Sequence, residues 1–324
     1  MSIQTQNHKF YLAPLRGITD VIFRTVYERH FGRFDYMLAP FVPTILGSRV
    51  RDYHIKDILP EGGNDTKRLI PQIIGHDTEG FLLLCYKFAD LGFLSVNWNL
   101  GCPAPLITRK KRGCGLLPHP DIITKFLDDV IPKIPLPLSI KTRLGFDSKD
   151  DLEGLMPIFN NYPLKEIIIH PRIGVQMYDG TVDIDKFEIC LKKSIHNIVY
   201  NGDICTVDDF NRLSERFLDV NRWMIGRGII KNPCLMNKLR GEDSGSIHNF
   251  LDDLLDTCKD HPKPIKLLGR MKEIWRFLGG TIDHTGNLGE QILRCESMAE
   301  YKKIAATSVN PLHGQPSVDF VPAP

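Results

Sequence analysis

Residues Val96 to Gly115 read VNWNLGCPAPLITRKKRGCG. The lead-in from Phe93 through Leu94 and Ser95 to Val96 is apolar and predicts a strand. The run turns polar at Asn97 and Asn99 and breaks at Gly101-Cys102-Pro103. A strand that ends in amides, a glycine and a thiol sets polar groups at an open end. The loop beyond it carries Arg109, Lys110, Lys111 and Arg112 in succession, then Gly113 and Gly115. A thiol beside a basic loop suits chemistry on an anion. An ordinary turn with a buried free cysteine has the same local signature, because cysteine is among the most buried residue types. The rest of the chain must choose between them.

Working outward, this strand has seven companions. Phe10–Ala13 stops at Pro14, Tyr36–Ala39 stops at Pro40, and Leu69–Ile74 ends at Gly75. After the Cys102 stretch come Leu138–Arg143, Glu166–His170, Ile198–Asn201 and Trp223–Ile225. Helical segments separate most of them. Thr19 and Asp20 open one with Val21, Ile22 and Val26 as its apolar stripe; Thr78–Leu91 is another; Asp121 is a plausible cap for a third reaching Val130. Eight strands alternating with helices predict a (β/α)8 TIM barrel. Several strands carry a polar residue near the C-terminal end: Gln72, Asn97 and Asn99, Lys141 and Arg143, His170, Asn201, and Arg227 just beyond the eighth. Barrel active sites lie at that rim. The loops Asn201-Gly202-Asp203 and Gly226-Arg227-Gly228 follow strands seven and eight, where barrels often bind phosphate. Glycines there let backbone N–H groups approach an anion, a helix N-terminus adds a favourable dipole, and Arg227 is placed to pair with the charge.

Composition narrows the function classes. Among 324 residues the net charge is +2, so any nucleic-acid surface must be local. No apolar run approaches 18 residues, which predicts no membrane span. The opening MSIQTQNHKF lacks a signal-peptide pattern. The eight cysteines form no CxxC pair and no metal-like spacing, so reduced thiols in a cytoplasmic protein are expected.

The ordered set of motifs resembles the dihydrouridine synthase family of flavin-dependent tRNA-modifying enzymes. The matching residues are APLRGITDVIFR (Ala13 to Arg24), Gln72, NLGCP (Asn99 to Pro103), IKTRLGF (Ile140 to Phe146), His170 with Gln176 and Tyr178, NGDI (Asn201 to Ile204) and IGRG (Ile225 to Gly228). The resemblance implies FMN at the strand ends, reduced by NADPH. It implies backbone contact from Pro14, Leu15 and Arg16, a Gln72 bond to the pyrimidine edge of the flavin, and Lys141 near its nitrogen-1. His170, Asn201, Gly202, Asp203, Gly226 and Arg227 would hold ribityl and phosphate. Asn99, Arg143 and Tyr178 would contact the target uracil, and Cys102 would protonate it. The sixth strand departs from the family pattern, reading His170-Pro171-Arg172-Ile173-Gly174, which leaves the contacts of His170 and Arg172 open. Cys114 stands where a small residue is usual. Arg16 reaches either toward RNA phosphate or into a surface ion pair.

The barrel is expected over residues 1–240. A small C-terminal helical domain is expected over 246–308, with a flexible tail over 309–324. Ile247–Lys259 and Lys263–Leu278 read as amphipathic helices, and Leu288–Ala306 holds one or two more. Family members grip tRNA with this domain. Lys263, Lys266, Arg270, Lys272 and Arg276 are either part of that grip or a solvated face. Three readings follow: an FMN enzyme that reduces uridine in tRNA, an FMN barrel acting on a free pyrimidine-like molecule, and an RNA-binding protein with a degenerate barrel. The basic loop favours RNA. The intact Cys102, Lys141 and Arg143 favour catalysis. A monomer without an obligate protein partner is expected.

Overall fold

The computed structural model describes residues 8–44, 50–258, 264–283 and 287–307, the side chains of 264–266 excepted. Eight parallel strands form the barrel: β1 Lys9–Leu12, β2 Tyr36–Leu38, β3 Leu69–Ile70 continuing as Gln72–Ile74, β4 Val96–Leu100, β5 Leu138–Gly145, β6 Ile167–Ile173, β7 Ile198–Asn201 and β8 Arg222–Ile225. Closure happens at β3. Its first half pairs with β2 and its second half with β4. Pro71 separates the halves because it has no N–H for a ladder. Its carbonyl still accepts from the Asn97 amide at 2.9 Å, which joins the two edges. A two-residue extension after β2, Val42–Pro43, also pairs with β3.

The interior explains where the strands begin and end. β4 starts at Val96, later than the apolar run at Phe93 predicts, and it includes both asparagines. Alternation decides the matter. Trp98 faces outward, packing at a tilt on Phe126 at 4.3 Å, so Asn97 and Asn99 face inward. Leu94, in the predicted strand, is 58% exposed. β6 likewise runs through Pro171 to Ile173 and does not stop at His170. A plug of Tyr11, Ala13, Leu38, Ile70, Ile168, Val199 and Met224 fills the barrel interior. Each large aliphatic side chain of this kind stabilises the fold by roughly 1.5–3 kcal/mol.

Around the barrel lie α1 (Val21–Phe31), α2 (Thr78–Asp90), α3 (Pro120–Val130), α4 (Asp151–Phe159), α5 (Ile184–Lys193) and α6 (Val207–Arg216). Asp20 caps α1 by accepting from the Phe23 amide. The buried residues of α1 include Phe23, Val26 and Tyr27; Val21 and Ile22 are half-exposed. Asp121 is not a cap: α3 begins at Pro120, whose missing N–H suits a helix start. After β8 come α7 (Arg227–Lys231), α8 (Leu235–Arg240) and α9 (Ile247–Thr257).

Two compact units divide between Thr257 and Cys258. α9 therefore falls in the barrel unit, although its residues were expected in the helical domain. The reason is packing: Phe250 is fully buried and meets Phe23 and Phe31 of α1 at 5.7 and 5.3 Å. The second unit holds α10 (Pro264–Ile282), α11 (Asn287–Arg294) and α12 (Met298–Thr307). Its core includes Met271, Ile274, Trp275 and Tyr301, with the Trp275 indole donating to the Tyr301 hydroxyl at 3.1 Å. Lys263, the Lys266 side chain and the tail from residue 309 lie outside the described residues. Among the described residues no helix is long and apolar enough to cross a membrane.

Candidate active site

A cavity of about 260 Å³ opens at the C-terminal rim of the strands. Every residue that the resemblance assigns to flavin, uracil or proton transfer lines it. Pro14, Leu15 and Arg16 come from the loop after β1, and Gln72 from β3. Asn99 and Cys102 come from the end of β4 and its loop, Lys141 and Arg143 from β5, and His170 and Tyr178 from β6 and beyond. Asn201, Gly202 and Asp203 follow from β7, and Gly226 and Arg227 from β8.

Strand register produces the arrangement. Gln72 pairs beside Asn97, Asn97 beside Ser139, and Asn99 beside Lys141. Lateral neighbours in a parallel sheet share a face, so these polar groups form an inward layer. The layer is internally bonded. Asn99 donates to Gln72 Oε1 at 2.7 Å, Gln72 donates to Asn97 Oδ1 at 2.8 Å, and Asn97 donates to the Ser139 hydroxyl at 2.9 Å. Asn99 Oδ1 also accepts from the backbone amides of Gly101 and Cys102 at 3.0 and 2.9 Å. Asn99 thus fixes the turn that presents the thiol. One of its two amide hydrogens stays available for a ligand.

The two cysteines of this loop differ. Cys102 is half-buried and lines the cavity. Burial pushes its thiol up, opposed by the Ala104 amide and by Arg143, Arg16 and Lys141, so it holds its proton at neutral pH. Cys114 is fully buried; its backbone amide and its Sγ both donate to the Cys102 carbonyl, at 3.1 and 3.4 Å. Burial pushes it up to about 12. Gly174 makes room for it, because a Cβ there would lie 2.6 Å from Cys114 Sγ. Cys114 is a prop beneath the Cys102 turn.

The cavity walls are cationic. Lys141 makes no hydrogen bond or ion pair among the described residues, and burial followed by the Arg143 charge pulls it down to about 7. Arg143 is buried and donates to the carbonyls of Gly101 and Ile173 at 3.1 and 2.8 Å. Tyr178, half in solvent, lies between two guanidiniums, Arg143 at 5.3 Å and Arg227 at 5.2 Å from its ring. Arg16 is exposed over Phe41 at 5.7 Å, and no carboxylate pairs with it among the described residues. Asn201 is buried and donates to the Met224 carbonyl at 2.8 Å.

Sequence reasoning left Arg172 open, and the structure gives it a definite place. It is buried, bonds His170 Nε2 at 3.1 Å and forms a two-point ion pair with Asp203 at 2.9 and 2.7 Å. Arg227 reaches the same carboxylate at 3.1 Å. Guanidinium has no acceptor, so His170 accepts at Nε2 and carries its proton on Nδ1. Burial and the surrounding cations, Lys141 first, hold His170 far below the usual imidazole range, hence neutral. A readable signal for Arg172 existed: residues i and i+2 of a strand share a face, so Arg172 follows His170 inward.

The donor set suits a planar polar ring with a phosphate tail. Asp203 is the single carboxylate on the lining, and both guanidiniums claim it. A side chain at Gly202 would force its neighbours to shift, because a Cβ would lie 2.8 Å from Val182. Helix α7 is barely more than one turn, which leaves the Arg227 charge, more than a helix dipole, to attract an anion. Among the described residues no cluster of His, Cys, Asp or Glu is arranged to hold a metal.

The barrel resembles solved structures of morphinone reductase, a likeness of fold alone. One, in complex with tetrahydroNAD, superposes with TM-score 0.53 at 10% identity over 80% of this chain and 90% of that one. A second gives TM-score 0.51 at 11% identity over 80% and 88%. Among curated proteins, the chain is 28% identical over 270 residues to tRNA-dihydrouridine synthase B of Pasteurella multocida, covering 80% of this chain and 78% of that one. It is 26% identical over 313 residues to a probable tRNA-dihydrouridine synthase of Staphylococcus epidermidis, covering 92% and 93%. A family model described as dihydrouridine synthase matches residues 11–304. The chain therefore belongs to the dihydrouridine synthase family.

Proposed function

We propose that the chain is a tRNA-dihydrouridine synthase with FMN as cofactor, NADPH as reductant and a uridine of tRNA as substrate. One observation carries the reading. A protonated thiol meets Lys141, Arg16 and Arg143, none of them paired with an acid among the described residues, in one cavity of a member of this family. When bound, FMN supplies the hydride that saturates carbon-6 of the uracil. The backbone of Pro14, Leu15 and Arg16 and the Gln72 amide hold the ring. Lys141 balances the negative charge of the reduced form. His170, Asn201, Gly202, Gly226 and Arg227 hold the ribityl chain and phosphate, and Asp203 stands behind them as the counterion of Arg227.

Asn99, Arg143 and Tyr178 bind the uracil, with Arg143 stabilising charge on its carbonyl. Cys102 then gives its proton to carbon-5. Its raised pKa suits a general acid, because the proton is in place at neutral pH. A stacked base cannot reach a rim cavity, so the nucleotide turns out of its helix. Arg109, Lys110 and Lys111 are exposed and pair with no acid among the described residues, which favours a polyanion over a free base. The C-terminal helical unit adds to the grip on tRNA.

The test is mass spectrometry of tRNA incubated with purified protein, FMN and NADPH. Dihydrouridine in tRNA is expected, with weaker binding as salt rises. Equal activity on free uracil would support the small-molecule class instead.

A further inference from the structure

Arg172 lines no part of the cavity, yet it touches three elements that do. It is 2% exposed and uses all five of its N–H groups. Nε donates to the Asp179 carbonyl at 3.3 Å. Nη1 donates to His170 at 3.1 Å and to Asp203 Oδ1 at 2.9 Å. Nη2 donates to the Gly180 carbonyl at 2.6 Å and to Asp203 Oδ2 at 2.7 Å. The Asp203 pairing is a two-point fork, the strongest form of this contact.

Arg227 holds the same carboxylate by one bond of 3.1 Å, and its side chain is 32% exposed. An exposed one-point pair contributes little and breaks easily. The Arg172 pair is harder to break: it has two bonds, and although Asp203 is 35% exposed, Arg172 is buried and would be left with a stranded charge. The two arginines therefore split the work on Asp203. Arg172 is the permanent counterion, and Arg227 is the exchangeable one.

We infer that Arg172 is a positioning residue that sets the cavity's preference for a phosphorylated ligand. It keeps Asp203 neutralised, so that Arg227 can transfer its bond from Asp203 to a phosphate. Without Arg172 the carboxylate would either withhold Arg227 from the phosphate or, on releasing it, stand as an unbalanced negative charge beside that phosphate. This accounts for an arginine on the cavity side of the His170-Pro171-Arg172 strand. Pro171 contributes no N–H there, and its Cδ already crowds Gly202, at 3.3 Å from where a Cβ would sit. The inference rests on the proposed FMN site.

The experiment titrates FMN and riboflavin, which differ by the phosphate alone, against flavin-free protein by fluorescence quenching. Wild type should bind FMN more tightly than riboflavin. Arg172→Met should weaken FMN by about tenfold to a hundredfold and riboflavin by less than about threefold, the weight of a charge-assisted bond. Adding Asp203→Asn to that variant should restore FMN to within about threefold of wild type, because the stranded charge is gone. Asp203→Asn alone keeps an amide oxygen for Arg172 to donate to, so FMN affinity per folded molecule should hold or tighten, a result independent of whether Arg172→Met folds. Equal weakening of both flavins by Arg172→Met, or no rescue by the double variant, would reduce Arg172 to a structural strut. Weakened FMN binding in Asp203→Asn alone would show that Asp203 grips the ligand itself, which overturns the inference. A wild type that binds neither flavin would overturn the cofactor assignment, and this inference with it.

Discussion

At the base of the barrel Glu166 is fully buried, and its Oε2 accepts from the Tyr11 hydroxyl and the Arg222 guanidinium, each at 2.9 Å. At the rim Lys141 faces the cavity with no acid beside it, and Arg143 spends its donors on backbone carbonyls. Both ends bury charge inside the barrel. The base balances its charge within the chain, whereas the rim carries Arg16, Lys141, Arg143 and Arg227 against one carboxylate, Asp203. Buried charge that closes on itself specifies structure. Buried charge left open identifies where an anion belongs.

Substitutions at the two ends should therefore fail in different ways. The largest effect belongs to the rim. Cys102→Ala should keep the fold and the bound FMN while dihydrouridine formation in steady state falls by about 100-fold to 10,000-fold, the weight of a positioned acid. Loss of flavin along with activity would move Cys102 from chemistry to structure. At the base, Arg222→Met strands Glu166 and should cost about 3–5 kcal/mol of stability in denaturant melts. FMN affinity per folded molecule should hold; a matching loss of affinity would erase the distinction between the ends.

The next effect has a pH signature. Lys141 sits near 7, below the ordinary lysine value of 10.5, so between those values the folded state binds fewer protons than the unfolded one. Stability of the flavin-free protein contributed by this group then rises with pH across that window. Lys141→Met should remove the rise, so wild type gains about 1–3 kcal/mol more than the variant between neutral and strongly alkaline pH. Other groups titrate equally in both proteins and cancel. Parallel stability curves would mean that Lys141 is not charged at a cost. The smallest effect lies outside the cavity: reversing Lys110, Lys111 and Arg112 to Glu should raise the KM for tRNA by about tenfold at low salt, with FMN content unchanged.

The eight strands and their polar rim were legible in the sequence because alternation and strand-ending polar residues are local signals. Asn99, Lys141 and His170 could be placed at the rim from their strands alone. What escaped depends on distant pairings. Val96, not Phe93, begins β4 because Trp98 and Phe126 pack outside the barrel while Asn97 bonds Gln72 and Ser139 within it. Arg172 finds Asp203 across 31 residues, and Arg222 finds Glu166 across 56. The helix Ile247–Thr257 carries an amphipathic pattern that fits either unit; only the aromatic surface of α1 decides that Phe250 belongs with the barrel.

The most direct test of the chemistry compares the two cysteines of one loop. FMN on the protein is reduced in advance, and its oxidation by tRNA is followed through one turnover in wild type, Cys102→Ala and Cys114→Ala. The cavity-facing thiol should control the rate and the buried prop should not: Cys102→Ala slow by at least about 100-fold, Cys114→Ala close to wild type. A normal rate in Cys102→Ala with a collapsed rate in Cys114→Ala would contradict the account.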